Sequence, residues 1–509
     1  MQSTSNSSST AVSTLFRIAI FVSISLVAAR IALSEVVGFG DAEALYVSYG
    51  LFGQATYLDH PGLIGWIASL LAGPNGVAEP VTVHRVTSLV ATLVPWLGGV
   101  AAKCAGASNK GALATVVSIA IVPEIAIGLF AFTPDLPLAV AWIGALAMAA
   151  LAIRSAPGSS MCLGATLGAG LCVGVACASK ASGVLLAAAL LATWLSASMR
   201  DRWRTIAPYA SMLVGAVVTY PMVHREVLLG WPMLSHRLLH TQAGFGPSLR
   251  NLGGLIGGQL VYLTPLVAIA VVIIAIDLCR RASDDPVDRL LFNATVPPFV
   301  ALAVLTVLSR VAEPHWVAPA YLGLALYLGR AVDRIRISRR MVIATISTSL
   351  AAIAIVFVVV RYPVLPKILG GYYEARYDLV NDLYVWESGA QLIRGQVSTF
   401  ENGGNEEVTI VGPHWVVCAQ VQVLLGKSVR VGCETPEGDD FQGVNPRERW
   451  SRDGVLLYVT DDRFPVELSS KFPDRAVVGV SKTSVRRGGV AVRNIKVSTL
   501  TRHASARIE

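Results

Sequence analysis

Charge is scarce in this chain: Asp, Glu, Lys and Arg make up 15% of its 509 residues, whereas 54% are hydrophobic. Mean hydropathy is +0.59. Apolar runs of about 20 residues recur through most of the sequence, and a helix of that length crosses the ~30 Å hydrocarbon core of a bilayer. The alternating pattern of a membrane β-barrel is lacking. These features exclude an ordinary soluble domain and predict an all-α polytopic membrane protein.

The sequence also lacks the short motifs of several other protein classes. Its 7 cysteines form no Cys-x-x-Cys pair and no Cys/His spacing of a zinc site. The net charge of +8 comes from short basic clusters between apolar runs, as topology signals do, so no nucleic-acid partner is expected. Cys418 and Cys433 lie in the polar C-terminal region. They form a disulfide or stay free, depending on whether that region is extracytoplasmic.

Eleven apolar runs are candidate membrane spans. The first follows a polar, Ser-rich start, and its length favours an uncleaved span over a signal peptide. The runs lie at about 14–34, 84–102, 111–131, 135–153, 160–179, 182–198, 206–223, 255–277, 290–309, 315–330 and 341–361.

A twelfth apolar piece, 63–72, is short, and whether it crosses sets the topology of everything after it. If it does not cross, nearly every cluster of Lys and Arg falls on one side of the membrane, as the positive-inside rule requires. We therefore predict that 63–72 is an interfacial helix, that the N-terminus is inside and that the C-terminus is outside.

The last part of the chain changes character, because strand-like pieces alternate there with polar turns; the pieces lie at 408–411, 428–431, 454–459, 476–480 and 490–497. The stretch VTIVGPHW followed by VVCAQVQVLLG indicates a strand, a turn and a helix. This pattern predicts a small α/β domain outside the membrane, with no Gly-rich nucleotide loop. The predicted organisation is a disordered N-terminus at 1–13, a transmembrane domain at 14–365, an extracytoplasmic α/β domain at 371–500 and a flexible tail at 501–509.

Two acids open helices on the predicted outer face. Asp41 follows glycine in GFGDAEAL, and Asp135 begins a span in FTPDLPL. Glu43 is two residues after Asp41, so the two acids would point apart on a helix. Helix capping explains each of them. The functional alternative is a carboxylate at the membrane edge, acting as a general base for Asp41 and binding a metal or orienting a substrate for Asp135.

The stretch YLDHPG (57–62) places an acid beside a base. Asp59 is a candidate ligand of a divalent cation, and His60 is a candidate contact for a phosphate. The alternative is a polar turn in which Pro61 starts the interfacial helix.

Basic residues lie at the same predicted face. Arg85 opens one span and Lys180 ends another, where they either snorkel to the interface or bind an anion such as phosphate. In GWPMLSHRLLH, His236 and His240 are four residues apart and share a helix face, which suits one metal or one phosphate. Arg237 lies between them, and His315 stands in EPHWVAPAY near another outer boundary.

Several of these pieces, in order, resemble the C-type fold of polyprenyl-phosphate-dependent glycosyltransferases. The nearest branch is glycosyltransferase family 39 with its aminoarabinose-transferase and protein O-mannosyltransferase relatives. The resemblance covers about residues 15–330, and the stretches that carry it are DAEALY, YLDHPG, FTPDLPL, ASKASG, GWPMLSHRLLH, GGQLVYLTPL and EPHWVAPAYL.

The resemblance implies a sugar donor on a polyprenyl phosphate, an extracytoplasmic acceptor and an inverting transfer in a bacterial inner (plasma) membrane. It implies that Asp41 and Asp135 are catalytic, and that Asp59 and His236 are ligands of a divalent metal ion, the one cofactor considered. DHP stands here where the aminoarabinose branch has Glu-Lys-Pro, so His60 takes the place of a phosphate-binding lysine. The residues that it assigns to the donor phosphate are His60, Arg85, Lys180, Arg237, His240 and His315.

Two other functions are consistent with a chain of many spans. One is a transporter or flippase of a lipid-linked or anionic solute, although its charged residues would be expected near the membrane midplane and not at span ends. The other is a scaffold that presents the C-terminal domain, which leaves the outer acids and bases unexplained.

Overall fold

The computed structural model describes residues 2–236, 246–309, 313–335, 337–402, 408–435 and 438–503. Within those ranges, seven helices are long and apolar enough to cross a membrane: Val12–Ser34, Pro80–Cys104, Asp135–Arg154, Ser160–Ser179, Ala207–Leu229, Pro286–Leu308 and Arg339–Arg361. Two bent helix pairs raise the number to nine. The polytopic helical fold is confirmed, whereas the number eleven stays a prediction.

The helical part of the chain runs as far as residue 402. Its helices are α1 (Gln2–Ser34), α2 (Asp41–Phe52), α3 (Leu63–Leu70), α4 (Pro80–Cys104), α5 (Asn109–Ala120), α6 (Pro123–Gly128), α7 (Asp135–Arg154), α8 (Ser160–Ser179), α9 (Gly183–Trp194), α10 (Ala207–Leu229), α11 (Pro232–Ser235), α12 (Leu249–Leu263), α13 (Pro265–Arg281), α14 (Pro286–Asn293), α15 (Val296–Leu308), α16 (Ala318–Ala331), α17 (Arg339–Arg361), α18 (Val364–Leu369) and α19 (Asp382–Asn402).

Three of the predicted apolar segments differ from uninterrupted spans, and each difference has a local cause. The run 255–277 is broken by a bend of 103° between α12 and α13, because Thr264 has φ 70° and Pro265 cannot continue the hydrogen-bond ladder. The run 111–131 divides where Pro123 starts α6. The piece 63–72 forms α3, whose 8 residues extend ~12 Å. That length is well below the ~30 Å hydrocarbon core, and the interfacial position of 63–72 stays a prediction.

The chain forms two compact units. The first, called the helical unit, consists of Met1–Ile31, Ala55–Leu63 and Arg85–Ile355; the second, called the C-terminal unit, consists of Ala32–Gln54, Ile64–His84 and Val356–Glu509. The segment Ala32–Gln54, which holds Asp41, therefore belongs to the same unit as the C-terminal α/β domain.

The helical unit is built on small residues. Helix α7 is rich in alanine and packs along α8 around the fully buried Trp142 and Leu146. Small side chains let the helix backbones approach closely, which is how helices associate where apolar burial gives no advantage. Gly111 of α5 shows the same principle, because an added Cβ would collide with the carbonyl oxygen of Gly329 on α16.

The C-terminal unit contains one five-stranded sheet, as the sequence predicts. Its strands are β1 (Val408–Gly412), β2 (Arg430–Cys433), β3 (Val455–Asp461), β4 (Arg475–Arg487) and β5 (Val490–Arg502), in the order β2-β1-β3-β5-β4. Strand β1 pairs in parallel with β2 and β3, and the two remaining pairings are antiparallel. Four helices complete the domain: α20 (Trp415–Leu425), α21 (Asp440–Val444), α22 (Arg447–Trp450) and α23 (Leu468–Lys471).

Strand β4 is much longer than the predicted piece at 476–480. Gly488 and Gly489, with φ 60° and 85°, make the tight turn that joins it to β5, and the two strands pair over their whole length. Sequence pattern missed the second half of β4 because this edge strand carries charged side chains, which protect an edge from further pairing.

Cys418 on α20 and Cys433 at the end of β2 form a buried disulfide across 15 residues. We expect the double variant Cys418→Ser/Cys433→Ser to lower the free energy of unfolding by about 3 kcal/mol, because the cross-link limits the unfolded chain. Thermal unfolding of the full chain with and without reductant measures the loss. The exposed free cysteine gives the matched control, Cys279→Ser. Equal melting temperatures for wild type and double variant would contradict the prediction.

Candidate active site

Asp41 is the first residue of α2, in the C-terminal unit. Gly40 is the N-cap, and its backbone N–H donates to Glu43 Oε2 at 2.9 Å. Since Glu43 makes the capping contact, the capping explanation for the Asp41 side chain is wrong. The Asp41 carboxylate has other partners.

Both oxygens of Asp41 accept hydrogen bonds from the α/β domain. Arg463 Nη1 donates to Oδ2 at 2.6 Å, and Gln420 Nε2 lies 3.3 Å from Oδ1. The same Gln420 amide donates to the carbonyl oxygen of Phe39 at 3.0 Å. Helix α20 therefore fixes the backbone before Asp41 as well as its side chain.

Arg463 is shared by three carboxylates. Besides Asp41, its Nε and Nη2 lie 2.9 and 2.8 Å from Asp461 Oδ2, and its Nη1 lies 3.3 Å from Asp382 Oδ1. Arg493 Nη2 also donates to Asp382, at 2.5 Å. We call these five residues the Arg463 network: Asp41, Asp382, Asp461, Arg463 and Arg493.

Asp382 is a carboxyl of this network whose pKa is raised. Burial, and next the negative charge of Asp41, raise the pKa of Asp382 to about 6, although Arg463 and Arg493 oppose the rise. Its side chain is only 13% exposed, so solvent screens these effects weakly.

A pH dependence follows from Asp382. A carboxyl with a raised pKa in the folded state contributes stability that is full at low pH and is lost as the pH rises through about 6. Relative to Asp382→Asn, wild type should therefore lose about 1 kcal/mol of unfolding free energy between pH 5 and pH 7. Denaturant unfolding of both proteins at the two pH values measures this. An identical pH response in the two would contradict it.

Glu43 turns away from Asp41, as its helical spacing predicts. Its Oε1 lies 2.9 Å from His84 Nε2, and both side chains are buried. The His84 ring also packs edge-on against Phe39 at 5.7 Å. This contact ties α2 to the start of α4 within the C-terminal unit.

Lys180 and Asp135 meet in the helical unit. Helices α7 and α8 form a hairpin, so the first residue of α7 lies beside the residue that follows α8. Lys180 Nζ donates to Asp135 Oδ1 at 2.8 Å, and the side chains are 13% and 26% exposed. At the other end of the hairpin, Arg202 donates to the carbonyls of Ala152, Ile153 and Ser155.

Three further ionisable groups lie within electrostatic reach of Lys180: Glu124, Glu313 and His315. Both carboxylate oxygens of Glu124 are buried and make no hydrogen bond to the described part of the chain. His315 Nδ1 is 3.7 Å from Glu313 Oε2. These three groups, with Lys180 and Asp135, form what we call the Lys180 cluster.

The segment that carries His315 is held against α12. Residues Pro314–Val317 form a 3-10 turn, and Gln259 Nε2 donates to the carbonyl of Pro314 at 2.8 Å. Tyr321 donates its hydroxyl to Gln259 Oε1. One amide therefore fixes both ends of the EPHWVAPAY stretch.

The YLDHPG stretch forms a compact turn in the helical unit. Thr56 and Pro61 form an isolated bridge, and the N–H of Tyr57 donates to the carbonyl of His60 at 2.9 Å. His60 is buried, whereas Asp59 is 34% exposed and lies 3.8 Å from His236 Nε2. The turn and the residue that follows α11 are thus neighbours.

Glu226 explains this neighbourhood. The Thr56 hydroxyl donates to Glu226 Oε1 at 3.0 Å, and the N–H of Met233 donates to Oε2 at 3.1 Å. The buried Glu226 carboxylate thereby ties α10 and α11 to the residues before YLDHPG.

A divalent metal fits the described residues poorly. Across the described ranges, no group of three or more His, Cys, Asp or Glu could hold an ion, and Asp59 with His236 supplies two ligands. Arg237 and His240 lie outside the described residues. Arg85 is exposed on α4.

The structure brings together some predicted site residues and adds others. Asp135, Lys180 and His315 share the Lys180 cluster, and Asp59 lies beside His236. The sequence interpretation missed Glu124, although a lone acid in the apolar run 111–131 is a recognisable signal. It also missed Arg463 and Asp382, which no local pattern marks.

Comparisons with known proteins point to one enzyme class. Residues 59–224 match a family described as dolichyl-phosphate-mannose-protein mannosyltransferase. The fold is similar to that of ArnT from Cupriavidus metallidurans bound to undecaprenyl phosphate, with 16% identity, a TM-score of 0.62, and coverage of 95% of this chain and 97% of that chain. For the apo state of the same protein the values are 18%, 0.60, 96% and 98%.

A comparison with curated protein sequences gives no significant match. The family match covers Asp59, Asp135 and Lys180, and the similarity of fold extends over nearly the whole chain. These findings favour an enzyme over a transporter. The chain is a membrane glycosyltransferase with an ArnT-like fold, and it resembles the polyprenyl-phosphate-dependent transferases of glycosyltransferase family 39.

Proposed function

We propose that this glycosyltransferase moves a sugar from a polyprenyl-phosphate donor to an extracytoplasmic lipid, glycan or protein, with inversion at the anomeric carbon. The observation that carries the proposal is the partly buried Lys180–Asp135 pair, at 2.8 Å, inside the stretch that matches the mannosyltransferase family. ArnT of C. metallidurans binds undecaprenyl phosphate, a carrier of this class.

In the proposed reaction, Lys180 acts on the donor. The bond between the anomeric carbon and the phosphate oxygen breaks, and its electron pair leaves with the polyprenyl phosphate. An ammonium has three N–H donors, so Lys180 can keep its contact with Asp135 and still donate to the leaving phosphate. Because Asp135 already fixes the ammonium, little reorganisation is needed when negative charge develops.

Asp41 acts on the acceptor in this proposal. The acceptor oxygen or nitrogen forms the new bond to the anomeric carbon, and its proton passes to the Asp41 carboxylate. A carboxylate held by fixed donors is a suitable general base because its orientation is set before the acceptor binds. No nucleotide takes part.

The remaining predicted residues have supporting roles in the proposal. His60, Arg85, Arg237, His240 and His315 would contribute further contacts to the donor phosphate. We assign no step to a metal ion, since Asp59 and His236 give only two ligands within the described ranges.

We place the active face and the domain at 371–500 outside the cytoplasm, in a bacterial inner membrane, with the transmembrane domain at 14–365. The Cys418–Cys433 disulfide supports this orientation, because disulfides persist in oxidising compartments. Accessibility of single introduced cysteines to a membrane-impermeant reagent tests it. Labelling of the α/β domain only after cell lysis would contradict the orientation.

The activity is tested with purified full-length protein in vesicles that contain radiolabelled undecaprenyl-phosphate sugars, with envelope lipids and glycans supplied as acceptors. The expected result is label in an acceptor together with free undecaprenyl phosphate. Heat-denatured protein is the control. Solute movement across the vesicles that does not depend on lipid-linked sugar, with no transfer product, would support the transporter alternative instead.

A further inference from the structure

The α/β domain reaches the proposed catalytic base directly. Arg463 and Gln420 both belong to this domain, and together they contact both oxygens of Asp41, which lies 422 residues before Arg463 in the sequence. The family match spans residues 59–224, so it includes neither Asp41 nor Arg463.

We propose that Arg463 is a positioning residue of the transferase, which orients the Asp41 carboxylate and supplies the positive charge beside it. The α/β domain is then part of the catalytic apparatus. This inference rests on the proposed function, in which Asp41 takes the proton of the acceptor.

Arg463 is fixed before it reaches Asp41. Asp461, the last residue of β3, is fully buried and binds the Nε side of the guanidinium. The backbone N–H of Arg463 also donates to Asp461 Oδ1 at 2.9 Å, which closes a tight turn. Strand β3 is paired with β1 and β5, so the sheet fixes Asp461 and, through it, Arg463.

The free edge of the guanidinium then faces two carboxylates. Nη1 contacts Asp41 at 2.6 Å and Asp382 at 3.3 Å. The short distance and the opposite charges make the Asp41 contact the stronger of the two. Gln420 fixes the other Asp41 oxygen, so rotation of the carboxylate is blocked from both sides.

An arginine that served only to stabilise the fold would be expected among fewer acidic side chains. Arg463 is 20% exposed and lies among Asp41, Asp382 and Asp461, with Arg493 as the only other cation of the network. Three acids and two bases leave a net negative charge. An excess of negative charge among poorly solvated side chains costs stability. Proteins retain such a cost where activity requires it, and holding a carboxylate ready to accept a proton is such a requirement.

The test is a double-mutant cycle on transfer activity in the full-length protein, with Arg463→Gln, Asp41→Asn and the pair. We expect Arg463→Gln to lower kcat by about 10 to 100-fold, with little change in the KM of the lipid-linked donor. In the pair, the Arg463 substitution should have almost no further effect, because it acts only through Asp41. Arg463→Lys should recover part of the activity, since it restores the charge.

The pH–rate profile separates positioning from loss of structure. Without the cation beside the base, the acid limb of the kcat profile should move to higher pH in Arg463→Gln and return towards wild type in Arg463→Lys. Arg376→Gln, which breaks an exposed ion pair with Glu374, is the matched control and should change neither. If Arg463→Gln does not fold, Arg463→Lys and Gln420→Leu test the same two contacts singly.

Different failures identify different errors. If Asp41→Asn destroys transfer while Arg463→Gln keeps wild-type kcat and pH profile, the inference about Arg463 is wrong and the proposed function stands. The inference about Arg463 is also wrong if the effects of the two substitutions on kcat are fully multiplicative in the double variant. If Asp41→Asn keeps full activity, the proposed base is wrong.

Discussion

Asp41→Asn is expected to reduce transfer by about 10²–10⁴-fold, the usual contribution of a positioned general base. An amide of the same shape cannot accept the acceptor's proton. The donor should still bind, because the proposed phosphate contacts lie on other residues. Single-turnover transfer from labelled donor, together with a donor-binding measurement, distinguishes lost chemistry from lost binding.

The structure predicts a modest side effect of this substitution. Arg463 and Gln420 both donate to Asp41, and an asparagine can offer only one acceptor oxygen to the two donors. We expect a local loss of about 1–2 kcal/mol of stability. Asp201→Asn, in an exposed pair with Arg204, is the control for a general effect of removing an acid. Wild-type transfer by Asp41→Asn would remove Asp41 from the chemistry.

Local sequence pattern predicted the elements of this fold well. Long apolar runs identified α7, α8, α10 and α17, because each of these helices satisfies its own backbone in a bilayer. Alternating strands and the GPHW turn identified the α/β domain, including β1 and α20. The distribution of basic residues led us to predict that 63–72 is an interfacial helix. The shortness of α3 is consistent with that position, which stays a prediction.

The sequence pattern did not predict helix breaks that depend on the conformation of a single residue. Hydropathy treats 255–277 as one run, since it does not register that Thr264 adopts φ 70° before Pro265. The same averaging concealed Glu124, because one carboxylate hardly changes the mean of a 20-residue apolar window. Its burial beside the Lys180–Asp135 pair is visible only when α6 and α7 are packed.

The Arg463 network could not be predicted for a different reason. Asp41 and Arg463 are separated by almost the whole chain, and neither lies in a motif that refers to the other. The sequence did indicate that Asp41 and Glu43 face apart, and Glu43 pairs with His84 accordingly. Whether Asp41 or Glu43 contacts the α/β domain is decided by the tertiary fold.

Lys180→Ala is expected to lower transfer by about 10²–10³-fold, because it removes a fixed donor from the place where negative charge develops. Lys180→Arg should retain part of the rate, since a guanidinium also donates to phosphate but in a different geometry. Lys110→Ala is the matched control. That lysine pairs with Asp333 at 2.7 Å on the surface and should not affect transfer.

The contact between Lys180 and Asp135 allows a more specific test of this prediction. Lys180→Ala also leaves Asp135 without its cation, so a loss of activity has two explanations: a lost contact to the phosphate, or an uncompensated Asp135 charge that disturbs the surrounding structure. The double variant Lys180→Met/Asp135→Asn removes the unpaired charge and keeps similar side-chain volume. If Lys180 serves only to neutralise Asp135, the double variant should regain transfer. If Lys180 binds the leaving phosphate, the double variant should fold at least as stably as Lys180→Ala and remain inactive, which is the result we expect.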